Sequence, residues 1–155
     1  WTVAQIKDLL EDIKEFQKDK TNGTNESAYY CLQPLVVAED KNVHDRWRVI
    51  DAQQRLTTIY LILSCLNVKN KFSLSYERGT YLDCHISWTY NRETYTGNKS
   101  EDWEKYIKKQ WEDCNNKNVD VFHLFQAKLY IYNWLNRDDN NIDADKFLND
   151  FKFIW

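Results

Sequence analysis

The chain has 155 residues, 43% of them hydrophobic and 15% aromatic, enough to bury the core of one domain. Three glycines and one proline exclude collagen-like and low-complexity chains. The net charge of −3 argues against a domain that grips nucleic acid mainly through its phosphates, and no stretch approaches the roughly 18 consecutive apolar residues of a membrane-spanning helix.

Residues 3 to 17 carry Val3, Ile6, Leu9, Leu10, Ile13 and Phe16 at helical spacing, which predicts an amphipathic helix with one face in the core. Lys18 to Ser27, containing Asn22-Gly23, reads as a flexible connection. Residues 28 to 38 follow as a strand in which Pro34 marks an edge or a bulge. Residues 39 to 45 form a polar hairpin loop, and Arg46 to Ile50 return antiparallel to the first strand, with Trp47 and Val49 alternating with polar residues.

This second strand delivers Asp51 to a helix. From Ala52 onward the residues are good helix formers, and Leu56, Ile59, Tyr60, Leu63 and Leu66 recur on one face. Two readings fit the junction. In one, the Asp51 carboxylate caps an ordinary helix whose first turn is polar. In the other, the exposed N–H groups and the positive end of the helix dipole make a place for an anion. Gln53, Gln54 and Arg55 then add two amides and a guanidinium, donors suited to phosphate oxygens.

Farther along, Phe72, Leu74 and Tyr76 alternate through Lys71 to Glu77, which predicts a half-buried strand. Arg78 ends it, either as a surface cation or aimed at the anion site. Residues 101 to 114 and 118 to 137 read as helices, the first carrying Trp103, Tyr106, Ile107 and Trp111, the second Val121, Leu124, Phe125, Tyr132 and Leu135. Lys105, Lys108 and Lys109 are interleaved with Asp102 and Glu104, the pattern of a solvated helix face. Asp143 is placed to cap a last helix with Phe147, Leu148 and Phe151 facing inward, before the apolar ending Phe153-Ile154-Trp155.

Other constellations are weak. His44, His85 and His123 lack the helical pairing of a zinc site, and Asp138, Asp139, Asp143 and Asp145 lack the glycine and closing glutamate of a calcium loop. The absence of a Gly-x-x-x-x-Gly-Lys loop excludes an ordinary P-loop. Several of the seven tryptophans fall at core positions, so packing accounts for them. Cys31, Cys65, Cys84 and Cys114 show no Cys-x-x-Cys, and Asn22, Asn25 and Asn98 head formal glycosylation acceptors, which leaves open a secreted, disulfide-linked binding domain. Cys31 in a strand and Cys65 in an apolar helix suit buried free thiols, and a core of this size needs no disulfide, so a cytoplasmic thiol protein is the expectation. No methionine occurs, even at position 1, from which the chain is expected to start internally.

Ile50 to Leu63 resembles the signature of the GmrSD-type family, the amino-terminal domain of modification-dependent restriction systems, whose hallmark reads Asp-Gly-Gln-Gln-Arg followed by Leu-Thr-Thr. Trp1 with Leu9-Leu10-Glu11-Asp12-Ile13 is similar to the family's first helix, Tyr29 to Val37 to the strand before the hallmark, and Phe72 to Arg78 to a later strand ending in arginine. Asn118-Val119-Asp120 and the helix through Trp134-Leu135 resemble its later helical part. Ala52 stands where the family has glycine, a residue that usually signals positive φ or close backbone approach to a ligand. Alanine here implies either a helical φ or weakened nucleotide binding.

The resemblance implies an α+β, ParB-like and sulfiredoxin-like fold: a small mixed sheet with packed helices in residues 1–78, then a mainly helical part in residues 79–155, one domain truncated at both ends. It implies a module that binds and hydrolyses a nucleoside triphosphate with Mg2+, in a phage-defence system where hydrolysis licenses cleavage of modified DNA by an HNH-type nuclease on the same chain or a separate one. In that picture Asp51, Gln54 and Arg55 are catalytic. Arg55 neutralises phosphates, Gln53, Gln54 and the helix N-terminus orient them, Ala52, Thr57 and Arg78 line the nucleotide, and Asp51 holds the metal or positions the attacking water. Thr57 and Thr58 have the alternative of bonding back into their own helix. A non-catalytic regulatory or interaction module with a weakened nucleotide site is the alternative function.

Overall fold

The computed structural model describes residues 2–23, 27–66, 68, 72–76, 105, 108, 109, 111–113 and 119–153. Among them the architecture is mixed α and β: two small two-stranded sheets, four helices and a core between them. Residues 105, 108, 109 and 111–113 are also helical, as the 101–114 pattern predicts, and Lys105, Lys108 and Lys109 are exposed.

Helix α1, Val3–Thr21, buries Ile6, Leu9, Leu10 and Ile13 along the expected apolar stripe and continues four residues past the expected end. Its start is tied by the Gln5 side chain, which accepts from the Thr2 amide at 2.8 Å. Lys18 and Lys20 lie in its last turn, where positive charge complements the dipole. Gly23, at φ 79, continues the chain beyond the cap residue Asn22 in a conformation that glycine adopts without steric cost.

The single strand expected over residues 28–38 is two strands. Strand β1, Tyr30–Leu32, and strand β2, Val36–Glu39, belong to different sheets, and Gln33-Pro34-Leu35 joins them. Pro34, with no N–H for a ladder, falls at the break rather than inside a strand. Strand β3, Trp47–Asp51, pairs antiparallel with β2 as expected, in the register Glu39↔Trp47 to Val36↔Asp51, with an irregularity between Val36 and Val37. Helix α2, Gln53–Cys65, follows at once.

The segment expected as a strand over residues 71–77 keeps its alternation without a ladder: Phe72, Leu74 and Tyr76 are half-buried against the core and Ser73 and Ser75 are exposed, but residues 72–76 are in no strand. Side-chain packing alone satisfies the period-two pattern here, because this segment lies beside α2 rather than a sheet edge: Phe72 meets Tyr60 edge-on at 5.6 Å, and Tyr76 meets Thr57.

Helix α3, Val119–Leu135, is the central element. It contacts both α1 and α2, and its buried residues Val121, Leu124, Phe125, Lys128, Ile131 and Trp134 fall on more than one face, as expected for a helix packed on two sides. Trp134 also donates its indole N–H to Glu11 of α1 at 3.0 Å, which satisfies the polar atom of a side chain only 1% exposed. Helix α4, Ala144–Asp150, has the expected cap, the Asp143 carboxylate accepting from the Lys146 amide at 3.0 Å.

Phe151 does not continue that helix. It begins strand β4, Phe151–Phe153, which pairs in parallel with β1, Tyr30 opposite Phe151 and Leu32 opposite Phe153. Two aromatics in three residues suit a strand, and the rings of Tyr30 and Phe151 lie 4.9 Å apart across the ladder. Cys31 and Cys65 are free thiols, as expected, although Cys31 is exposed rather than buried because alternation in β1 turns it away from Leu32 and the core. Cys84 and Cys114 lie outside the described residues.

Candidate anion site at the start of helix α2

The passage from β3 into α2 takes a single residue. Ala52 stands at φ 68, ψ 21, in the left-handed region, and its carbonyl already accepts the first helical bond from the Leu56 amide at 3.0 Å. Reversing direction within one residue is what demands the positive φ. Of the two alternatives for alanine at this place, a helical φ is therefore excluded. The backbone keeps the conformation of a glycine turn, with a methyl group added.

This geometry also decides what Asp51 does. A capping carboxylate sits on the N-cap residue and reaches the second or third helical amide. The N-cap residue is Ala52, so Asp51 lies one position too early, and its Oδ1 closes on the neighbouring Ala52 amide at 2.7 Å. The N-cap residue Ala52 has no side chain able to cap α2, and no acidic residue lies in the helix's first turn.

Around that end the predicted residues gather in one turn. Gln53 folds back, its Nε2 donating to the Val49 carbonyl at 2.8 Å and locking the turn to β3. Gln54 is exposed, and Arg55 is half-buried. Arg55 donates from Nη1 to the Gln33 carbonyl at 3.2 Å and from Nη2 to Gln33 Oε1. Thr57 donates to the Gln53 carbonyl at 2.9 Å and meets the Tyr76 hydroxyl, and Thr58 donates to the Gln54 carbonyl at 3.0 Å, so both hydroxyls return to their own helix. Arg78 lies outside the described residues.

Gln33 is the participant that sequence reasoning missed. It sits beside Pro34 between β1 and β2, and nothing in its local sequence marks it as the partner of a residue twenty-two positions away. Arg46, just before β3, donates to Ser75 at 3.1 Å and pairs with Asp40 at 3.8 Å. The segment 72–76 is thus tied to the loop before β3 through Ser75 and to α2 through Tyr76. A depression of about 220 Å³ lined by Thr2, Val3, Ile6, His123, Gln126 and Ala127 lies between α1 and α3, apart from this turn.

Among the described residues no group of three or more His, Cys, Asp or Glu could hold a metal ion. Asp51 offers one carboxylate, with one oxygen engaged by Ala52. Such a donor set suits a cation that keeps most of its waters and is shared with phosphates, the habit of Mg2+, rather than an all-protein cage.

The class that the structure defines is an α+β domain in which a strand passes through a left-handed Ala52 directly into a helix carrying Arg55 in its first turn. The chain belongs to the GmrSD family: the model of the family described as GmrSD restriction endonuclease, N-terminal domain, matches residues 1–155. No curated protein and no solved structure matches the chain. Membership implies a role in a restriction, phage-defence system, with DNA and a nuclease as the partners to which the family points. No helix among the described residues is long and apolar enough to cross a membrane.

Proposed function

We propose that this domain binds a nucleoside triphosphate at the start of α2 and hydrolyses it, working in the cytoplasm as the motor of a modification-dependent restriction system whose HNH-type nuclease lies on the same chain or a separate one. The observation that carries this reading is the start of α2, where N-cap Ala52 offers no capping side chain and Arg55 occupies the third helical position. Helix dipole, amide donors and guanidinium all favour negative charge at this place.

Arg55 would neutralise the charge that develops on the phosphates, and Gln53 and Gln54 would orient them. The second carboxylate oxygen of Asp51 would hold Mg2+ through water or align the attacking water. Bound Mg2+ supplies charge neutralisation on the phosphate oxygens. A second reading, a non-catalytic regulatory module, is favoured by one feature: Ala52 places a methyl group where a left-handed turn ordinarily has none.

Thermal shift of the full-length protein with Mg2+ and each nucleoside triphosphate separates the two. Ligand at 100 times its dissociation constant stabilises the fold by about 2.7 kcal/mol, and that stabilisation is expected to vanish in Arg55→Ala. Turnover by the wild type supports the motor; binding without turnover supports the regulatory module. The absence of any shift in the wild type refutes nucleotide binding.

A further inference from the structure

We infer that Gln33 is a positioning residue for Arg55, clamping its guanidinium from the link between the two sheets. The functional part of this inference rests on the nucleotide reading above; the positioning part does not. Arg55 leaves α2 from its first turn, and Gln33 meets it with two acceptors, the backbone carbonyl at 3.2 Å and side-chain Oε1. Two donors of a flexible side chain are thereby held by one residue of another segment.

The chemistry at Gln33 is specific. Arginine has donors only, so the amide must turn its oxygen to the guanidinium, which directs the amide's own N–H donors away from it. The pair then presents positive charge and neutral donors together. A carboxylate at position 33 would hold the guanidinium more strongly, by a charge-assisted bond, yet would cancel the charge an anion needs. Glutamine meets both demands, orientation without neutralisation. Its place in the fold matters as well: Gln33 directly follows β1 and lies in the three-residue link to β2.

The test uses the full-length protein with 15N-labelled arginine, the Arg55 side-chain signals being identified by their loss in Arg55→Ala. A clamped guanidinium gives resolved, slowly exchanging Nη signals. These are expected in the wild type and in Gln33→Glu and are expected to collapse in Gln33→Leu. Resolved signals surviving unchanged in Gln33→Leu, or already collapsed in the wild type, overturn the positioning role.

Affinity for magnesium-ATP and magnesium-GTP is measured on the same proteins. Gln33→Leu is expected to weaken the binding triphosphate about tenfold, about 1.4 kcal/mol. Gln33→Glu is expected to weaken it further while keeping its thermal midpoint. A role confined to stability would leave Gln33→Glu binding like the wild type, and that result overturns the functional part. Should Arg55→Ala bind as tightly as the wild type, the nucleotide reading fails by itself, and the Nη signals still decide the clamp.

Discussion

Replacing Ala52 by glycine tests the strand-to-helix turn most directly. At φ 68 and ψ 21 the Ala52 side chain stands in the left-handed region, where an L-residue costs about 1–2 kcal/mol. Glycine removes that cost and adds about 0.4–1 kcal/mol of unfolded-state entropy. The difference predicts a net stabilisation of about 0–1.6 kcal/mol, centred near about 0.8, or a rise of up to about 6 °C in thermal midpoint for a chain of this size. Ala4, exposed within α1, is the control: there glycine relieves nothing and should lower stability by about 1 kcal/mol. Differential scanning calorimetry of both variants reads the two signs side by side. An Ala52→Gly midpoint below the wild-type value would refute the left-handed assignment. Asp45, at φ 60 in the loop before β3, should gain less from the same change, since aspartate tolerates this region better than alanine.

Three further outcomes follow from the packing. Gln17, 6% exposed, exchanges two hydrogen bonds with the Asp143 backbone, at 2.8 and 2.9 Å, so Gln17→Leu should lower stability by about 1–3 kcal/mol with an unchanged urea slope. The half-buried pair Lys20–Asp150 at 2.7 Å should behave as a unit: Lys20→Met alone leaves a carboxylate poorly solvated and costs about 1–3 kcal/mol, while Lys20→Met with Asp150→Leu recovers part of it in a double-mutant cycle. Burial lowers Lys128 from 10.5 to about 8, against an opposing contribution from Cys65, so between those values the folded chain binds fewer protons than the unfolded one and stability rises with pH. Burial raises Cys65 from 9.0 to about 12, and burial with the Asp12 carboxylate raises Tyr30 from 10.0 to about 12, so Cys65 offsets the Lys128 gain from about pH 9 and Tyr30 turns the balance to a loss from about pH 10. The thermal midpoint should therefore climb from pH 8 toward 9, level off, and fall beyond about pH 10, with no climb in Lys128→Met; a steady fall from pH 7 would refute the assignment.

Helix faces were legible in the sequence because each is a local period. Ile6, Leu9, Leu10 and Ile13 in α1 and Leu56, Ile59 and Leu63 in α2 are spaced by the helix itself, and burial follows the spacing. Asp143 was legible for the same reason, since a cap acts within three residues of its own position. The misreadings share an opposite cause. β4 exists because Phe151 and Phe153 find Tyr30 and Leu32, more than a hundred residues earlier, and no local pattern distinguishes that strand from one more helical turn. Residues 28–38 look like one strand because both halves are apolar, and Pro34 announces a break without saying that the halves join different sheets.

The turn at Asp51 shows why a motif can be read correctly and its geometry wrongly. The residue string from Asp51 to Thr58 identifies a strand-to-helix junction, but the role of the carboxylate depends on one backbone angle at Ala52. With a right-handed Ala52 the helix would begin a residue earlier and Asp51 would be its cap, filling the amide end with a permanent anion. With the left-handed Ala52, Asp51 is spent on its neighbour's amide and does not cap the helix. Arg55 follows the same logic, since its guanidinium is oriented by Gln33, outside the motif altogether. Two-stranded sheets are individually marginal. A site whose arginine is held from the link between two of them, and whose first turn is anchored to β3 by Gln53 and to residues 72–76 by Thr57, is therefore sensitive to how those pieces are assembled. Any contact that reorders either sheet would move the guanidinium, which gives a partner bound elsewhere on the domain a physical route to the start of α2.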